Sequence, residues 1–378
     1  MRQKIIKNFW KELKRPIKVL APMAGYTDAA FRLLAREYGA DVVVTELISA
    51  DAIAHTKLKV ERQKLKVTHW FHPERSAKSG DSKDLVFNRV VGTKSQSTAE
   101  LLSFFELERP LVVQLFGKYP EKFGLAAKWI TENLKVDGID INMGCPARKV
   151  VGSDHGAALI KYPKLAAEIV RAVRENTNLP VSVKTRLGWD DPETILEFAP
   201  LLQKAGLSAG QAGIDAIIIH GRTYKQGFKG EADWTNVYKI KEMLPELIVI
   251  GNGDIGKISN SEFLILASPA GRSNQIPNSK SQFQKLPLDG VAVGRAAFGK
   301  PWIFSGRELN TSELKKLILH HAELVVVAKG EYGIIEFRKH LLKYLSGFDG
   351  ARELRKQAVS IKNIKDIRNL LVNLDTST

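Results

Sequence analysis

The only cysteine of the chain, Cys145, follows a short apolar segment and lies three residues after Asn142. The flanking residues Gly144 and Pro146 favour a sharp turn, from which the thiol would project on a fixed backbone. A single thiol in a chain of 378 residues is usually a small buried apolar side chain. Its place on a turn beside an amide indicates instead a group that is displayed for chemistry.

Short segments rich in β-branched and other apolar residues recur along the chain. Stretches of helical periodicity separate most of them. The predicted strands cover residues 17–21, 41–46, 111–116, 138–143, 181–186, 216–222, 248–254 and 290–295. The helices predicted between them include residues 28–38, 120–133, 157–175 and 191–204. Repeated strand–helix units with near-continuous apolar strands favour an α/β fold of the (β/α)8 TIM barrel type over a doubly wound sheet.

Every predicted strand ends in a residue that is polar or conformationally special, which a purely structural barrel would not require. Barrels of this class carry their sites at the carboxyl ends of the strands. The loops after strands seven and eight contain Gly253 and Gly294, whose backbone N–H groups can approach a phosphate, and Arg295, which can neutralise it. Together the two loops predict a phosphate site.

Four side chains at other strand ends suit a planar ring. Lys184 and His220 lie on neighbouring predicted strands, where they could converge on an electron-rich ring or a developing anion. Gln114 and Asn142 supply paired amide donors and acceptors for the edge of a heterocycle. Singly, Lys184 and His220 are each as easily explained by a hydrogen bond to a neighbour. With the phosphate site they describe a cofactor with the shape of flavin mononucleotide (FMN).

The charge of the chain favours a polyanionic partner. Lys and Arg number 57 against 41 Asp and Glu, which gives a formal net charge of +16 and a pI near 9.7. A surplus of this size is typical of proteins that bind nucleic acid or anionic membranes. A generally basic composition with solvated lysines would also produce it. Part of the surplus lies in residues 1–16, which we expect to form a basic N-terminal extension.

Composition also disfavours several classes of protein. No apolar run reaches the roughly 18 residues that span a bilayer, so we expect no membrane association. A lone cysteine cannot form an internal disulfide, which indicates a cytoplasmic protein. The eight histidines and the cysteine show no metal-ligand spacing, and His69 and His72 fall in an irregular stretch, so we expect no metal site. We further expect a monomer.

Seven motifs occur in order along the chain and carry a resemblance to one enzyme family. They are residues 21–28 (APMAGYTD), 113–117 (VQLFG), 142–146 (NMGCP), 183–188 (VKTRLG), 220–223 (HGRT), 251–255 (GNGDI) and 294–296 (GRA). In these motifs the chain resembles the tRNA-dihydrouridine synthases, and most of all their bacterial B-type branch. The resemblance runs from residue 19 to residue 304 and resumes at residues 337–340.

The resemblance implies an FMN enzyme that reduces uridine to 5,6-dihydrouridine in tRNA, with NADPH as hydride donor. It implies that Cys145 is the catalytic acid that protonates C5 of the uracil, a role that suits a largely protonated thiol. Asn142, Arg186 and Arg222 would contact the base or the phosphate of the nucleotide. The residues that would hold FMN are Pro22, Met23, Ala24, Gln114, Lys184, His220, Asn252, Gly253, Asp254, Gly294 and Arg295.

The C-terminal segment resembles the small helical domain with which the family grips tRNA. We expect the barrel over residues 17–308 and this domain over residues 309–378, where apolar residues recur at helical spacing. Its candidate phosphate contacts are Arg338, Lys339, Lys343, Arg352, Arg355 and Lys356. Two stretches depart from the family pattern, and we expect irregular insertions at residues 56–98 and 268–288.

Two other functions stay open. An FMN barrel that reduces a small pyrimidine or enone would need the same strand-end residues, but the basic charge and the helical C-terminal segment argue against a small substrate. A tRNA-binding protein without catalytic activity would carry the same charge. The presence of Cys145, Lys184 and His220 argues against that function.

Overall fold

Strands and helices alternate through most of the computed structural model, which describes residues 8–67, 83–92, 96–206, 213–258, 263–265, 288–372 and 374. The strands are β1 (Ile17–Leu20), β2 (Val42–Val44), β3 (Ile48–Ser49), β4 (Leu58–Val67), β5 (Lys83–Gly92), β6 (Phe104–Phe105), β7 (Leu111–Phe116), β8 (Gly138–Met143), β9 (Val181–Arg186), β10 (Ala216–His220), β11 (Ile248–Asn252), β12 (Ile255–Ile258), β13 (Phe263–Ile265) and β14 (Gly290–Val293). The α-helices are α1 (Phe9–Glu12), α2 (Ala29–Glu37), α3 (Ala50–His55), α4 (Gln96–Leu102), α5 (Pro120–Asn133), α6 (Arg148–Val151), α7 (Pro163–Asn176), α8 (Ile195–Lys204), α9 (Thr235–Met243), α10 (Thr311–Lys329), α11 (Gly333–Tyr344), α12 (Ala351–Ala358) and α13 (Ile364–Val372).

Eight parallel strands close into a barrel in the order β1, β2, β7, β8, β9, β10, β11, β14. β14 pairs with β1, with Ile17 level with Gly290, and β2 pairs with β7, so no edge remains open. The strands are almost wholly buried because side chains fill the inside and helices cover the outside. The (β/α)8 barrel predicted from the sequence is therefore confirmed.

Five barrel strands end one or two residues before their predicted ends, at β1, β2, β10, β11 and β14. The residues that follow these ends form the loops of the rim. After β11, Gly253 and Asp254 have φ of +116° and +55°, a backbone conformation that a strand does not contain. The predicted helices 157–175 and 191–204 each begin with a 3-10 segment, Gly156–Lys161 and Pro192–Thr194.

Helix α1 packs against the amino-terminal end of the barrel. Trp10 is 1% exposed and belongs to the cluster that fills the barrel interior with Ile17, Ile218 and Ile248. Asn8 Nδ2 donates to the carboxylate of Asp215 at 2.8 Å, at the start of β10. By packing, residues 8–13 belong to the barrel. The sequence predicted a basic N-terminal extension over residues 1–16; residues 8–13 of that stretch pack on the barrel, and residues 1–7 lie outside the described part.

Strands β4 and β5 form an antiparallel ribbon where the sequence predicted an irregular insertion. Their register runs from Leu58 opposite Gly92 to Val67 opposite Lys83, and the short strand β6 adds a third strand. Leu85 and Phe87 of the ribbon are buried in one apolar cluster with the C-terminal helices. The irregular prediction for residues 56–98 is therefore wrong for the described part, because tertiary packing orders a polar sequence with weak periodicity. The predicted insertion at residues 268–288 and the positions of His69 and His72 lie outside the described residues, apart from residue 288.

The C-terminal helices α10 to α13 form the helical domain that the sequence predicted. Its core includes Leu317, Phe337, Leu341 and Leu354, which are buried together with apolar residues of α2. The domain therefore packs on α2, the helix that follows β1. Within the described residues, no helix is both long and apolar enough to cross a membrane.

Three side chains of metal-ligand type meet where the helical domain contacts the barrel. Asp28, His321 and His340 are buried, and one ligand atom of each lies within 4.8 Å of the others. Burial alone would raise the pKa of Asp28, but the charges of Lys329, His340 and His321 outweigh it and hold that pKa well below its usual range. The Lys329 ammonium lies 3.2 Å from the Asp28 carboxylate. A cation of the chain itself thus already neutralises the carboxylate, and the cluster joins the two domains.

Candidate active site

A cavity of 690 Å³ opens at the carboxyl ends of the barrel strands, and we call it the mouth. Its volume lies within the range of small-molecule and cofactor sites. The barrel residues predicted for the cofactor, the acid and the nucleotide all line it. They are Pro22, Met23, Ala24, Gln114, Asn142, Cys145, Lys184, Arg186, His220, Arg222, Asn252, Gly253, Asp254, Gly294 and Arg295. The tertiary structure brings these residues together, and their binding roles stay predictions.

A chain of hydrogen bonds joins strands β7, β8 and β9 at the mouth. The Asp140 carboxylate accepts from the Ser182 hydroxyl at 2.6 Å and from Gln114 Nε2 at 2.7 Å. Gln114 Oε1 accepts from Asn142 Nδ2 at 2.9 Å. Asn142 Oδ1 accepts from the backbone N–H of Cys145 at 3.0 Å. We call this series, from Asp140 through Gln114 and Asn142 to the Cys145 backbone, the amide relay.

Cys145 is half-buried on the turn after β8. Its carbonyl oxygen accepts from the backbone N–H of Ala157 at 3.2 Å. The neighbouring Gly156 has φ of +61°, and a Cβ at that position would lie 3.0 Å from the Cys145 carbonyl oxygen and 3.2 Å from its Cβ. The cysteine backbone is thus held on both sides, by Asn142 and by residues 156–157, so the thiol is presented to the mouth from a fixed position.

Cationic side chains crowd one side of the mouth. Burial, and next the charge of Arg186, lowers the pKa of Lys184 to about 8. Burial, and next the charge of Arg222, lowers the pKa of Arg186 to about 10. Such shifts arise where positive charges are desolvated and close together without enough compensating negative charge. An anionic ligand would relieve this repulsion.

His220 lies among these cations as a neutral imidazole. Burial, followed by the charges of Lys184 and Arg186, lowers its pKa far below the ordinary histidine value. Its Nδ1 is buried and has no hydrogen-bond partner in the described part of the chain. Since a buried polar atom without a partner is costly, a ligand that hydrogen-bonds to this nitrogen would be favoured.

The guanidinium groups of Arg186 and Arg222 are bound to the protein itself. Arg186 donates to three backbone carbonyl oxygens, of which that of Gly144 lies at 3.0 Å, next to Cys145. Arg222 donates to the Asp254 carboxylate at 2.6 Å and to two carbonyl oxygens of its own loop. These bonds hold the loops after β8, β10 and β11 together. A contact of either arginine with a nucleotide stays a prediction.

Glycine backbone shapes the two loops predicted for phosphate. A Cβ at Gly253 would lie 2.8 Å from the Ala232 Cβ and 3.4 Å from the ring of His220. The nearest atom to a Cβ at Gly294 would be the Met23 sulfur, at 3.6 Å. Only glycine fits the first position, and the second leaves its backbone accessible from the mouth.

Phe228 and Asp140 belong to this site although no motif predicted them. Phe228 is 52% exposed in the mouth, and the guanidinium groups of Arg295 and Arg186 lie 4.2 Å and 5.5 Å from its ring centre. A large aromatic residue in a polar, glycine-containing loop is a signal that could have identified it. For Asp140 the signal is a carboxylate within an otherwise apolar strand.

Three of the helical-domain residues predicted to contact phosphates have partners within that domain. Arg338 donates to the carbonyl oxygen of Ile361 at 2.8 Å. Arg355 donates to a carbonyl oxygen at 2.8 Å, and Lys356 forms a surface ion pair with Glu353 at 2.8 Å. The two arginines therefore stabilise the domain, and their predicted contacts with RNA have no support from this geometry.

Helix α11 reaches the rim of the mouth. The Lys339 ammonium lies 5.8 Å from the ring centre of Tyr26, and that ring stacks on Phe298 with centres 3.9 Å apart. Tyr26 and Phe298 belong to the loops after β1 and β14, which line the mouth. Lys343 and Arg352 are exposed. The helical domain is thus in contact with two loops of the site.

Comparisons with known proteins agree on one family. The sequence profile of the family described as Dihydrouridine synthase (Dus) matches residues 19–69 and 80–377. The chain is 34% identical to a probable tRNA-dihydrouridine synthase of Rickettsia conorii, over 91% of this chain and 88% of that protein. It is 33% identical to the tRNA-dihydrouridine synthase B of Vibrio parahaemolyticus, over 89% of both chains. It is 32% identical to the probable tRNA-dihydrouridine synthase 2 of Bacillus subtilis, over 96% of this chain and 95% of that protein. The chain therefore belongs to the dihydrouridine synthase family.

Proposed function

We propose that this chain reduces uridine to 5,6-dihydrouridine in tRNA, with FMN in the mouth, NADPH as hydride donor and Cys145 as proton donor. The observation that carries the proposal is the mouth of a Dus-family chain, where a thiol, an amide pair and uncompensated cations face one cavity. FMN, when bound, would supply the hydride that the uracil ring accepts.

The residues of the mouth fit FMN in size and in chemistry. A cavity of 690 Å³ is large enough for a three-ring system with a phosphate tail. The accessible backbone of Gly294 and the exposed Arg295 side chain suit the phosphate. Lys184 and the unpartnered Nδ1 of His220 suit an electron-rich ring with hydrogen-bonding atoms.

Cys145 is in a position to supply a proton to the substrate. Hydride addition to C6 of a uracil leaves negative charge that a proton at C5 must neutralise, so a neutral acid is needed beside the ring. Cys145 lines the mouth from a backbone that neighbouring residues hold. Lys184 also lines the mouth, but its ammonium donates to Asn252 at 3.0 Å.

Charge and the position of the helical domain support RNA as the substrate. The net charge of +16 favours a polyanion, and α11 places Lys339 beside the loop that carries Met23 and Ala24. A uridine in folded tRNA must be unstacked to reach a flavin, and a positively charged mouth would admit it together with its phosphate.

The test is the visible spectrum of the purified protein, followed by NADPH oxidation with and without unmodified tRNA and by mass spectrometry of the nucleosides. We expect bound flavin, oxidation stimulated by tRNA, and dihydrouridine in the product. Cys145→Ala should keep the flavin and lose most turnover. Wild-type turnover of that variant with tRNA would overturn the role of Cys145.

The same measurements separate the two other functions. Flavin with NADPH oxidation that tRNA does not affect would overturn the RNA substrate and favour reduction of a small pyrimidine or enone. A protein that binds tRNA but cannot be reconstituted with FMN would overturn the chemistry and leave a binding protein.

A further inference from the structure

The loops after β8 and β9 lie across the mouth from the helical domain. The barrel strands follow one another around a closed ring, so β9 lies opposite β1 and β8 lies opposite β14. The loops after β1 and β14 are those that α11 contacts, through Tyr26 and Gly299. An RNA segment that extends from the helical domain across the mouth would therefore reach the loops after β8 and β9.

An aromatic pair stiffens this side of the rim. The rings of Trp189 and Tyr224, in the loops after β9 and β10, stack with centres 3.9 Å apart and planes inclined by 19°. The backbone N–H of Tyr224 donates to the carbonyl oxygen of Gly188, and that of Lys225 donates to the carbonyl oxygen of Trp189, both at 2.9 Å. The Lys225 ammonium also pairs with Asp190 at 2.9 Å, which balances the acid beside the stack. The two loops thus hold one another and keep the rings in place.

Lys161 carries a positive charge that aromatic rings hold in place. Its ammonium lies 4.5 Å from the ring centre of Trp189 and 5.4 Å from that of Tyr162. Among the described residues its partners are these rings, and no carboxylate pairs with it. Contact with a ring fixes the position of an ammonium without neutralising its charge. Lys161 is exposed and lies just before Pro163, the first residue of α7, where the helix dipole also favours an anion.

The surface around Lys161 is basic and has an open aromatic ring. The exposed cations within residues 147–164 are Arg148, Lys149, Lys161 and Lys164. The one acid of this stretch, Asp154, lies 3.7 Å from Lys118. Tyr162 is 43% exposed, which leaves part of its ring open to a ligand. Fixed cations beside an open ring are typical of surfaces that bind single-stranded nucleic acid, because phosphates pair with the cations and any base can stack on the ring.

We call Lys161, Tyr162, Trp189 and Tyr224 the far rim. We propose that the far rim is a second RNA-binding surface, where the RNA segment next to the reacting uridine places a phosphate on Lys161 and an unpaired base on the ring of Tyr162. Its partner follows from the proposed function, on which this inference rests. Neither residue lines the mouth, so the contact would hold RNA without taking part in the flavin chemistry. Contacts on both sides of the mouth would offset the cost of unstacking the uridine between them.

Lys161→Ala tests the phosphate contact. The affinity of the flavin-loaded protein for unmodified tRNA should fall roughly threefold or more, and the slope of log affinity against log salt should become shallower by about one. Lys161→Arg should keep the wild-type affinity, because a guanidinium keeps the charge and also stacks on aromatic rings. Lys128→Ala, at an exposed position of α5, removes the same charge elsewhere on the barrel and is the matched control.

Tyr162→Ser tests the stacking contact. Tyr162 is the residue before α7, where serine is favoured, so the variant should fold with a wild-type melting temperature. The affinity for tRNA should fall roughly fivefold or more with an unchanged salt slope, since a ring is lost and no charge. Tyr162→Phe keeps the ring and should bind tRNA as the wild type does.

Ultraviolet cross-linking locates the RNA on the protein. In the complex of the wild-type protein with tRNA, Tyr162 should cross-link to nucleotides next to the uridine that is reduced, as mapped by mass spectrometry. Reduction of the flavin by NADPH without tRNA should proceed at the wild-type rate in the Lys161 and Tyr162 variants, because neither side chain lines the mouth.

The inference fails if Lys161→Ala matches Lys128→Ala in affinity and salt slope, or if folded Tyr162→Ser binds tRNA as tightly as the wild type. Cross-links that fall only on segments remote from the reduced uridine would also overturn it, and they decide the stacking contact if Tyr162→Ser does not fold. Slower flavin reduction by NADPH in Lys161→Ala, with unchanged tRNA affinity, would assign the far rim to the phosphates of the dinucleotide instead. Wild-type protein that binds tRNA without making dihydrouridine would sink the proposed function, and the affinities of the Lys161 variants would still judge the far rim.

Discussion

Cys145 owes its position to its neighbours more than to contacts of its own side chain. Asn142 binds its N–H, Ala157 binds its carbonyl oxygen, and Gly156 lies against its backbone and Cβ. The thiol is therefore aimed by three residues that do not themselves take part in proton transfer. Changes at these neighbours should act on turnover through the geometry of Cys145.

Gly156→Ala should displace Cys145. The new Cβ would lie 2.9 Å from Val150 Cγ1 and 3.0 Å from the Cys145 carbonyl oxygen, so the cysteine must shift. We expect kcat to fall at least roughly tenfold with flavin retained, and the free energy of unfolding to fall by about 1–2 kcal/mol because φ is positive. Gly330→Ala is the control, since it has φ of +74° with nothing near its Cβ. Equal effects of the two changes on kcat would contradict the role of Gly156.

The lowered pKa of Lys184 predicts how FMN binding depends on pH. Its pKa of about 8 means that the ammonium is lost as the pH rises through that value, so FMN affinity should fall there. The stability of the FMN-free protein should change in the opposite direction and increase as the pH rises. Because the unfolded chain has the higher pKa of 10.5, it binds more protons, and the free energy of unfolding should rise between about pH 8 and 10.5. Fluorescence titration of FMN measures the first effect, and Lys184→Met should remove the pH step.

Helix α1 and the β4–β5 ribbon, which the sequence did not predict, contribute buried residues to the two cores of the molecule. Helix α1 has only four residues, yet its Trp10 fills the amino-terminal end of the barrel interior. The ribbon of β4 and β5 occupies the connection between the second and third barrel strands and contributes Leu85 and Phe87 to the core of the helical domain. Both stabilise the scaffold that positions the mouth without contributing a residue that lines it.

Trp10→Ala should destabilise the barrel strongly. Loss of a large, fully buried aromatic side chain costs about 3–5 kcal/mol of unfolding free energy. Urea denaturation measures the change. Lys11→Ala, on an exposed position of the same helix, should change stability by no more than about 0.5 kcal/mol. A Trp10 variant as stable as the Lys11 variant would show that residues 8–13 are not part of the barrel.

At the scale of the whole molecule, the packing of the helical domain on the barrel places positive charge beside the mouth. The helical domain shares a core with α2, and its helix α11 contacts the loops after β1 and β14 through Tyr26 and Gly299. RNA bound to this domain would therefore lie against the rim of the mouth. The exposed cations of the domain, and not its structural arginines, are the expected phosphate contacts.

Reversing two exposed charges on α12 should weaken tRNA binding. Arg352→Glu with Lys356→Glu removes two candidate phosphate contacts, so the affinity should fall roughly tenfold or more and the salt dependence should become shallower. Flavin content should not change. Binding assays over a range of salt concentrations measure the effect.

The matched control reverses two exposed lysines on the outer helices of the barrel, Lys128→Glu with Lys239→Glu, which changes the net charge equally. An equal loss of affinity in the control would show that only the overall charge matters and that α12 has no particular role.

The sequence by itself determined the fold class, the strand ends that form the mouth and most of the residues that line it. Apolar strands alternating with amphipathic helices admit few architectures, and in a parallel barrel all carboxyl ends meet at one face. The positions of Gln114, Cys145 and Arg295 at strand ends were therefore enough to predict one site. Local pattern also revealed the helical C-terminal domain.

Only the tertiary structure decided which polar groups act on one another. Asp140 looked like one polar residue in a strand, Phe228 like a loop residue, and Arg222 like a free cation; their partners come from other strands and loops. The ribbon and Trp10 escaped prediction for the same reason, since distant residues supply the surface that buries them. Periodicity reports the environment of a residue along its own element, whereas hydrogen bonds, charge and burial at the mouth depend on residues far apart in the chain.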